Sequence, residues 1–243
     1  MRSLVITLYA QKPACLPLSY NALIQGALYD CWRQGAPSLH NEGFTDGSRT
    51  YRLFTFSQLS GKSHVDSKKK TISFTGVITF RVRSPEEDLI DLLAQELGAK
   101  GSLRIGRAVL PIVNLSTADR LLFPHRALIN MLSPVTLHRT LDDGYTEYLD
   151  PRTRAFAEAL QVNCEHKAQS FGFDCCLVQL VPLDESLRKR VIQFKGTYVN
   201  GWTGQFILSA EPETMAFLYN AGLGDRNSQG FGMFEIIDRP LAF

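Results

Sequence analysis

Four glycines within eleven residues make the segment from Gly222 to Gly232 the part of this chain that most limits how it can fold. The segment reads G-L-G, then D-R-N-S-Q, then G-F-G. Glycine is needed where the backbone takes a positive φ or where another group comes close to the chain. The spacing therefore predicts a loop of defined backbone shape that is rich in side-chain donors. A tight hairpin turn without a function is the simplest alternative.

The loop differs from two well-known phosphate-binding glycine motifs. A P-loop ends in Gly-Lys-Ser/Thr and opens a helix, whereas the apolar run at 231–237 that follows here predicts a strand. The dinucleotide fingerprint needs shorter glycine spacing and a turn between a strand and a helix. The segment therefore belongs to neither motif.

Length and charge leave room for two units with different partners. The chain has 243 residues, 44% of them hydrophobic, which is enough for two cores. Its formal net charge is only +2. Residues 1–125 carry 15 Lys and Arg against 10 Asp and Glu, whereas residues 126–243 carry 11 against 14. An anionic partner is therefore expected mainly at the first half, unless this modest asymmetry is chance.

The order of predicted elements indicates a fold that repeats. The first half reads as a strand at 2–9, a helix from Ser19 to about 35, a polar loop at 38–50, a strand at 51–59, a polar connection at 61–70, a strand at 71–83, a helix from Ser84 to about 97 and a strand-rich stretch at 103–115. The second half reads as a strand starting at 128, a helix at 150–168, strands at 175–181, 191–198 and 205–208, a short helix at 211–219 and a strand at 231–237. This predicts an α+β protein of two tandem ferredoxin-like (RRM-like, βαββαβ) domains, 1–120 and 121–243.

The cysteines and the first residues favour a cytoplasmic protein. None of the five cysteines forms a C-x-x-C pair, so we expect buried free thiols in a reducing compartment. The apolar run at 3–8 is too short for a signal peptide, and no stretch of 18 apolar residues would span a membrane.

Metal chemistry is not favoured by the sequence. The five histidines are scattered, without an H-E-x-x-H motif or paired ligands at zinc spacing. We therefore expect no metal and no cofactor. RNA supports a reaction without either, because its own 2′-hydroxyl can attack the adjacent phosphate to leave a 2′,3′-cyclic phosphate and a 5′-hydroxyl. That step needs a base, an acid and cations.

Several segments resemble one family in order and spacing. The loop at 222–232 resembles the glycine-rich loop of the CRISPR repeat-processing endoribonucleases of the RAMP superfamily. The supporting segments are 25–30 (Q-G-A-L-Y-D), 39–40 (L-H), 51–57 (Y-R-L-F-T-F-S), 132–135 (L-S-P-V) and 194–208. The resemblance implies the same tandem fold, CRISPR repeat RNA as the substrate and endonucleolytic cutting of the precursor transcript. A non-catalytic RAMP-type RNA-binding subunit of a CRISPR effector complex is the alternative, with an RRM-like RNA binder as a weaker third.

The resemblance also implies an active site. His40 matches the family's active-site histidine, and its imidazole can take or give a proton near neutral pH. Tyr29 matches the family's helix tyrosine, for which positioning is the safer role because of its high ordinary pKa. Arg52 stands where the family carries a lysine; arginine keeps the charge but is neither acid nor base, and Arg49 or Lys62 could take the lysine's place. Without the resemblance, each of the three reads equally well as an ordinary surface or packing residue.

The expected RNA contacts are backbone N–H groups of the loop together with basic side chains. The candidates are Gly222, Gly224, Arg226, Asn227, Ser228, Gly230, Gly232, Lys68, Lys69 and Lys70, with Arg81, Arg83, Arg104, Arg107 and the run 188–190 as further cations. Effector-complex subunits and a second copy of the chain are partners that the sequence leaves open. Each basic cluster could instead be a solvated face.

Overall fold

The computed structural model describes residues 2–35, 44–46, 49–51, 54–119, 122–175 and 177–237. The elements of the first half are β1 (Arg2–Pro17), α1 (Asn21–Gly35), β2 (Phe44–Asp46), β3 (Arg49–Tyr51), β4 (Thr55–Phe56), β5 (Ser60–Asp66), β6 (Thr71–Arg83), α2 (Glu87–Lys100), β7 (Ser102–Ile105) and β8 (Ala108–Asp119).

The second half follows the same order of strands and helices. Its elements are β9 (Arg126–Met131), β10 (His138–Thr140), β11 (Thr146–Tyr148), α3 (Arg154–Ser170), β12 (Gln179–Pro182), β13 (Arg188–Phe194), β14 (Thr197–Thr203), β15 (Gln205–Ser209), α4 (Pro212–Ala221), a short 3₁₀ turn (Asn227–Gln229) and β16 (Phe234–Ile236).

Each half builds one main antiparallel sheet, and β2–β3, β10–β11 and β13–β14 form separate two-stranded hairpins. The first sheet has the order β4-β6-β1-β8-β7, and β5 also pairs with β6. The second sheet has the order β12-β15-β9-β16. In both sheets the first strand lies between the third and the last strand of a βαββαβ unit, which is the ferredoxin-like arrangement. The α+β fold with two tandem ferredoxin-like units is therefore confirmed.

Alternating apolar side chains place a core in each half. On β1 and β6 they meet across the strands as Leu4↔Val82, Ile6↔Phe80 and Leu8↔Ile78, all buried. A second core gathers around Ile129 of β9, Phe156 of α3 and Phe206 of β15. The predicted boundary between residues 120 and 121 lies outside the described residues, so the division into 1–120 and 121–243 stays a prediction.

Some predicted elements have other bounds. The connection at 61–70 is largely β5, whose exposed polar side chains give no strand pattern although its backbone pairs with β6. The stretch at 103–115 is the hairpin β7–β8, with its turn at Gly106. The strand predicted at 191–198 runs through the Lys195–Gly196 turn between β13 and β14. The last strand begins at Phe234, because residues 231–233 still belong to the loop.

The helix starts also lie later than predicted. Ser84 does not begin α2 directly; its hydroxyl accepts from the N–H of Glu86 at 3.0 Å, one residue before the helix. In α3 the N-cap is Thr153, whose hydroxyl accepts from Phe156 N–H, rather than Asp150. In both cases a proline turn precedes the helix instead of forming its first residue.

The expectation of buried thiols is correct for Cys31 and Cys164 and wrong for Cys15. Cys15 lies near the end of β1, opposite Ser73, on the face away from the core, and is exposed. Cys175 is half-buried, and Cys176 lies outside the described residues.

Arg83 joins the two sheets and is not a surface cation. Its side chain is buried, its guanidinium lies 3.6 Å from the ring centre of Tyr219, and it donates to the Tyr219 hydroxyl and to the carbonyl of Phe234. The prediction that Arg83 is available to RNA is therefore wrong. Arg81, its neighbour on the same strand face, pairs with Glu235 of β16 at 3.1 Å.

Candidate functional site

Tyr29 is held in an aromatic cluster on the last turns of α1. Its ring meets those of Trp32 and Phe54 edge to face, with centroids 6.0 and 5.6 Å apart. Trp32 is anchored in turn by its indole N–H, which donates to the carbonyl of Leu89 on α2 at 2.9 Å. The tyrosine is partly exposed, so its position is set by packing while part of its side chain reaches the surface.

His40 and Arg52 lie outside the described residues. The structure fixes the chain on either side of them: α1 ends at Gly35, and the hairpin β2–β3 follows. β2 lies against α3 of the second half. Phe54, two residues after Arg52 in sequence, touches Tyr29. The segment that carries His40 thus connects α1 to a strand that contacts the second domain.

The glycine-rich loop has the backbone that its spacing predicts. Gly222, Gly224, Gly230 and Gly232 have φ of 88°, 67°, 82° and 76°, and Arg226 also takes the left-handed conformation at 59°. A β-carbon would be strained at each of these glycines.

Close packing adds a second reason for glycine. A β-carbon on Gly230 would overlap the ring of Phe56, and one on Gly232 would overlap the carbonyl of Leu223. These neighbours belong to the protein itself. The loop's glycines are thus required by the fold, whatever role the loop has with RNA.

Side chains of the first domain hold the loop's carbonyl groups. The Asn21 amide donates to the carbonyls of Gln229 and Gly230 at 3.0 and 3.1 Å, and the Gln25 amide donates to that of Ser228 at 2.9 Å. The Thr55 hydroxyl of β4 donates to the carbonyl of Phe231 at 3.0 Å. Because Asn21 and Gln25 are one helical turn apart, they present two amides on one face of α1.

Lys167 of α3 holds the other side of the loop. Its ammonium is buried and donates to the carbonyls of Gly222 and Gly224 and to the amide oxygen of Asn227, at 2.7, 2.9 and 3.0 Å. Burial lowers the pKa of this lysine. The three oxygen acceptors oppose this lowering of the pKa. A neutral amine has only two N–H groups to donate, so loss of the proton would leave one acceptor without a donor.

Asn227 closes the ring of contacts inside the loop. Its amide donates to the carbonyls of Leu223 and Phe231 at 3.0 and 3.1 Å, while its oxygen accepts from Lys167. Most carbonyl groups of the loop thus accept from protein donors. Several of its N–H groups are also bonded within the protein, those of Leu223, Asp225, Gln229, Gly230 and Gly232. The remaining N–H groups and the half-buried side chains of Arg226 and Ser228 are the groups that the loop can offer an anion.

Asp225 ties the start of the loop to the second domain. Its carboxylate accepts from the Asn163 amide at 2.8 Å and from the main-chain N–H of His138 at 3.2 Å. The same carboxylate lies 2.7 Å from Nδ1 of the His138 ring.

The lysines predicted to bind RNA lie far from the loop. Lys68, Lys69 and Lys70 are exposed in the turn between β5 and β6. The loop contacts the opposite end of β6 through β4, whose Phe56 pairs with Val82. Eleven strand residues separate the two ends, roughly 35 Å at the usual rise per residue. The structure therefore does not bring this basic turn into the same site.

Sequence reasoning missed the residues that shape the loop. Asn21 and Gln25 recur with Tyr29 at four-residue spacing, and this polar stripe was a readable signal. The sequence contains no such signal for Lys167, because a lysine in an amphipathic helix ordinarily faces solvent.

The second half of the chain matches a known family. The family model described as CRISPR associated protein Cas6, C-terminal, matches residues 119–236. The glycine-rich loop and Lys167 thus both lie in the Cas6-type region, and the predicted resemblance is confirmed.

Whole-chain comparisons reach beyond this region. The chain is 24% identical over 227 residues to the CRISPR-associated endoribonuclease Cas6 1 of Methanocaldococcus jannaschii, covering 90% of this chain and 86% of the relative. A solved structure of a Cas6-related gene product from Pyrococcus furiosus has a TM-score of 0.84 at 17% identity, covering 98% of each chain. A RAMP protein binding different RNA substrates has a TM-score of 0.83 at 17% identity, covering 98% of this chain and all of its own. The structural matches establish the fold.

The described residues contain neither a membrane-spanning helix nor a cluster of metal ligands. No helix there is long and apolar enough to cross a membrane. In the same residues, no three His, Cys, Asp or Glu side chains gather as metal ligands would.

Proposed function

We propose that this protein is an endoribonuclease that cuts CRISPR repeat RNA in the precursor transcript. The Methanocaldococcus relative, similar over nearly the whole chain, is a CRISPR-associated endoribonuclease. A structural neighbour is a RAMP protein that binds RNA substrates. Both support RNA as the substrate of this chain, and the first supports endonucleolytic cutting as its activity.

One observation supports the location of the site most strongly. The α1 face that carries Tyr29 also carries Asn21 and Gln25, whose amides hold the glycine-rich loop. The expected catalytic tyrosine and the expected RNA-binding loop are therefore parts of one surface, joined by side-chain hydrogen bonds. Two features inferred separately from sequence meet at the junction of the two domains.

The proposed reaction is attack of the 2′-hydroxyl on the adjacent phosphate, without a metal ion. His40 would take the proton of the 2′-hydroxyl or give one to the leaving 5′-oxygen. Arg52 would bind the phosphate and neutralise charge that develops on it, without moving a proton. Tyr29, held by Trp32 and Phe54, would position the reacting nucleotide.

The loop would contribute binding. With its carbonyls directed inward, its outer N–H groups and Arg226 are suited to a phosphate of the RNA backbone. Such contacts fix position and carry little sequence information. The exposed lysines at 68–70 would then serve a distant part of a long RNA, since they lie about one strand length from the loop.

The test is cleavage of labelled repeat RNA in excess EDTA. The expected products carry a 2′,3′-cyclic phosphate and a 5′-hydroxyl, and a 2′-deoxy substitution 5′ of the cut should abolish cleavage. Robust cutting of the deoxy RNA would overturn the 2′-hydroxyl mechanism. Tight binding without any cutting would instead favour the alternative, a non-catalytic RNA-binding subunit of a CRISPR effector complex.

A further inference from the structure

A second histidine lies beside the glycine-rich loop, in a polar cluster that the proposed reaction does not use. The cluster consists of His138, Tyr148, Asn163 and Asp225. Asp225 belongs to the loop, His138 and Tyr148 are paired across the hairpin β10–β11, and Asn163 lies on α3. Four separate pieces of chain thus bring titratable and amide groups together next to Arg226.

Asp225 is positioned to orient the imidazole. Its own N–H donates to the carbonyl of Thr136 at 2.8 Å, and its carboxylate is fixed by the Asn163 amide and by the main chain of His138. This fixed carboxylate lies 2.7 Å from Nδ1. The buried Nδ1 has no hydrogen-bond partner in the described part of the chain, so the contact with Asp225 is one of proximity, and Nε2 is the nitrogen left to act on other molecules.

The exposed edge of the ring is the Nε2 edge. The His138 side chain is 30% exposed, but its Nδ1 atom is buried. Solvent therefore reaches the ring from the other side. An imidazole with one nitrogen beside a half-buried carboxylate and the other at the surface is similar to the arrangement by which aspartate orients an acting histidine.

Neighbouring polar atoms have bonding capacity that the protein does not use. In the described part of the chain, the buried Tyr148 hydroxyl, Arg226 Nε and Asn163 Oδ1 have no hydrogen-bond partner. The Tyr148 ring lies 6.0 Å from that of His138. Burying such groups unpaired is costly, so a cluster that only held the loop in shape would be expected to satisfy them.

The position of the cluster favours RNA as the ligand. The cluster includes Asp225, which is the loop residue next to Arg226. It also includes Asn163 of α3, the helix that is contacted by β2, the strand after the His40 segment. The accessible group of the cluster is the Nε2 edge of His138, which can bond a phosphate oxygen or the 2′-hydroxyl of a nucleotide unit.

We propose that His138 is a further RNA-contacting residue, which binds a ribose-phosphate unit through Nε2 while Asp225 holds its ring. The inference rests on the proposed function only in taking repeat RNA as the ligand. It requires no particular chemistry at His40.

His138→Asn is the sharpest variant. An asparagine amide can replace Nδ1 as the donor to Asp225, but it has no group at the place of Nε2. We expect the unfolding midpoint to be preserved and the dissociation constant for repeat RNA to rise about tenfold, the usual worth of one hydrogen bond to a charged group. His125→Asn is the matched control, because His125 is a 70% exposed histidine paired with Glu211 away from the loop.

Tyr148→Phe separates an RNA contact at His138 from a structural role of the cluster. It removes one buried hydroxyl that RNA cannot reach, so it should leave the RNA affinity unchanged and the unfolding midpoint unchanged or raised. If His138→Asn fails to fold, His138→Gln is measured in its place, because it also removes the imidazole.

The measurement is the dissociation constant of labelled repeat RNA by gel shift, with single-turnover cleavage over a range of protein concentrations beside it. Weakened binding in the His138 variant, with Tyr148→Phe and the His125 control unchanged, supports the proposal. Wild-type affinity in the His138 variant, or an equal loss in Tyr148→Phe, overturns it. Wild-type protein that binds the RNA without cutting it would refute the endoribonuclease function alone, because the gel shift still tests His138.

Discussion

The ammonium of Lys167 donates to the carbonyl of Gly222 at 2.7 Å, so a buried cation from α3 holds the first glycine of the loop. The same ammonium also reaches the carbonyl of Gly224 and the side chain of Asn227. A change at Lys167 should therefore affect the loop before it affects the core.

Lys167→Met should destabilise the protein. Methionine fills similar space but leaves three buried oxygen acceptors without a donor, which is expected to cost at least about 3 kcal/mol of unfolding free energy. Urea unfolding measures the loss. Lys189→Met on the exposed strand β13 is the control and should change the free energy by less than about 0.5 kcal/mol. Equal stabilities of the two variants would contradict the role of Lys167.

Gly230→Ala should be strongly destabilising. The residue has φ of 82°, and an added β-carbon would overlap the ring of Phe56. Gly26→Ala is the opposite case, because a β-carbon on this residue of α1 meets nothing within 4 Å. There the better helix propensity of alanine should add about 0.5–1 kcal/mol. Thermal unfolding of both variants is the measurement. Destabilisation by Gly230→Ala alone shows that the backbone shape of the loop requires glycine, whereas equal destabilisation by both would show only that glycine was lost.

His40→Ala should slow cleavage by roughly 10²–10⁴-fold, the usual contribution of a general acid or base. Affinity for repeat RNA should hardly change, because many phosphate contacts outweigh one imidazole. Single-turnover rates and gel-shift constants separate the two effects. A variant that cuts at the wild-type rate would remove His40 from the active site.

Arg52→Ala should reduce both the cleavage rate and the RNA affinity, with the larger loss of affinity at low salt, because it removes a fixed charge near phosphate. Arg52→Lys should retain much of the activity, since the charge is kept. The comparison needs both variants at two salt concentrations. If the lysine variant were as impaired as the alanine variant, charge alone would not account for Arg52.

Thiol labelling should distinguish Cys15 from Cys164. Cys15 is exposed, whereas burial raises the pKa of Cys164 to about 12, so almost no thiolate forms there at pH 8. Native protein treated with iodoacetamide and mapped by peptide mass should carry the label at Cys15 and not at Cys164. After unfolding, both should be labelled. Equal native labelling would contradict the burial of α3.

Sequence patterns within one segment predicted features that depend only on the backbone of that segment. The alternation at 71–83 matches β6 residue for residue, and the spacing of the four loop glycines predicted their positive φ. Helix starts were misplaced by two or three residues, because a turn containing Pro85 or Pro151 precedes each helix, and the N-cap positions are Glu86 and Thr153.

The loop's environment could not be predicted from neighbouring residues. Gly230 must be glycine partly because a β-carbon would overlap the ring of Phe56. The carbonyl of Gly230 accepts from Asn21, which lies near the other end of the sequence. Such contacts depend on how the two domains dock. Lys167 and Arg83 were missed or misjudged for the same reason: each is a charged side chain whose partners come from a distant segment and allow it to be buried.

The bond between Asn21 and the carbonyl of Gly230 spans 209 residues, and it sets an order of events during synthesis. When α1 leaves the ribosome, the loop that it will hold has not yet been made. At about 5–20 residues per second, roughly 10–40 s pass before Gly230 is added. The first domain can fold in that time, but the surface shared by Tyr29 and the loop is assembled last. On the proposed function, a nascent chain would therefore act on RNA only after its second domain is in place.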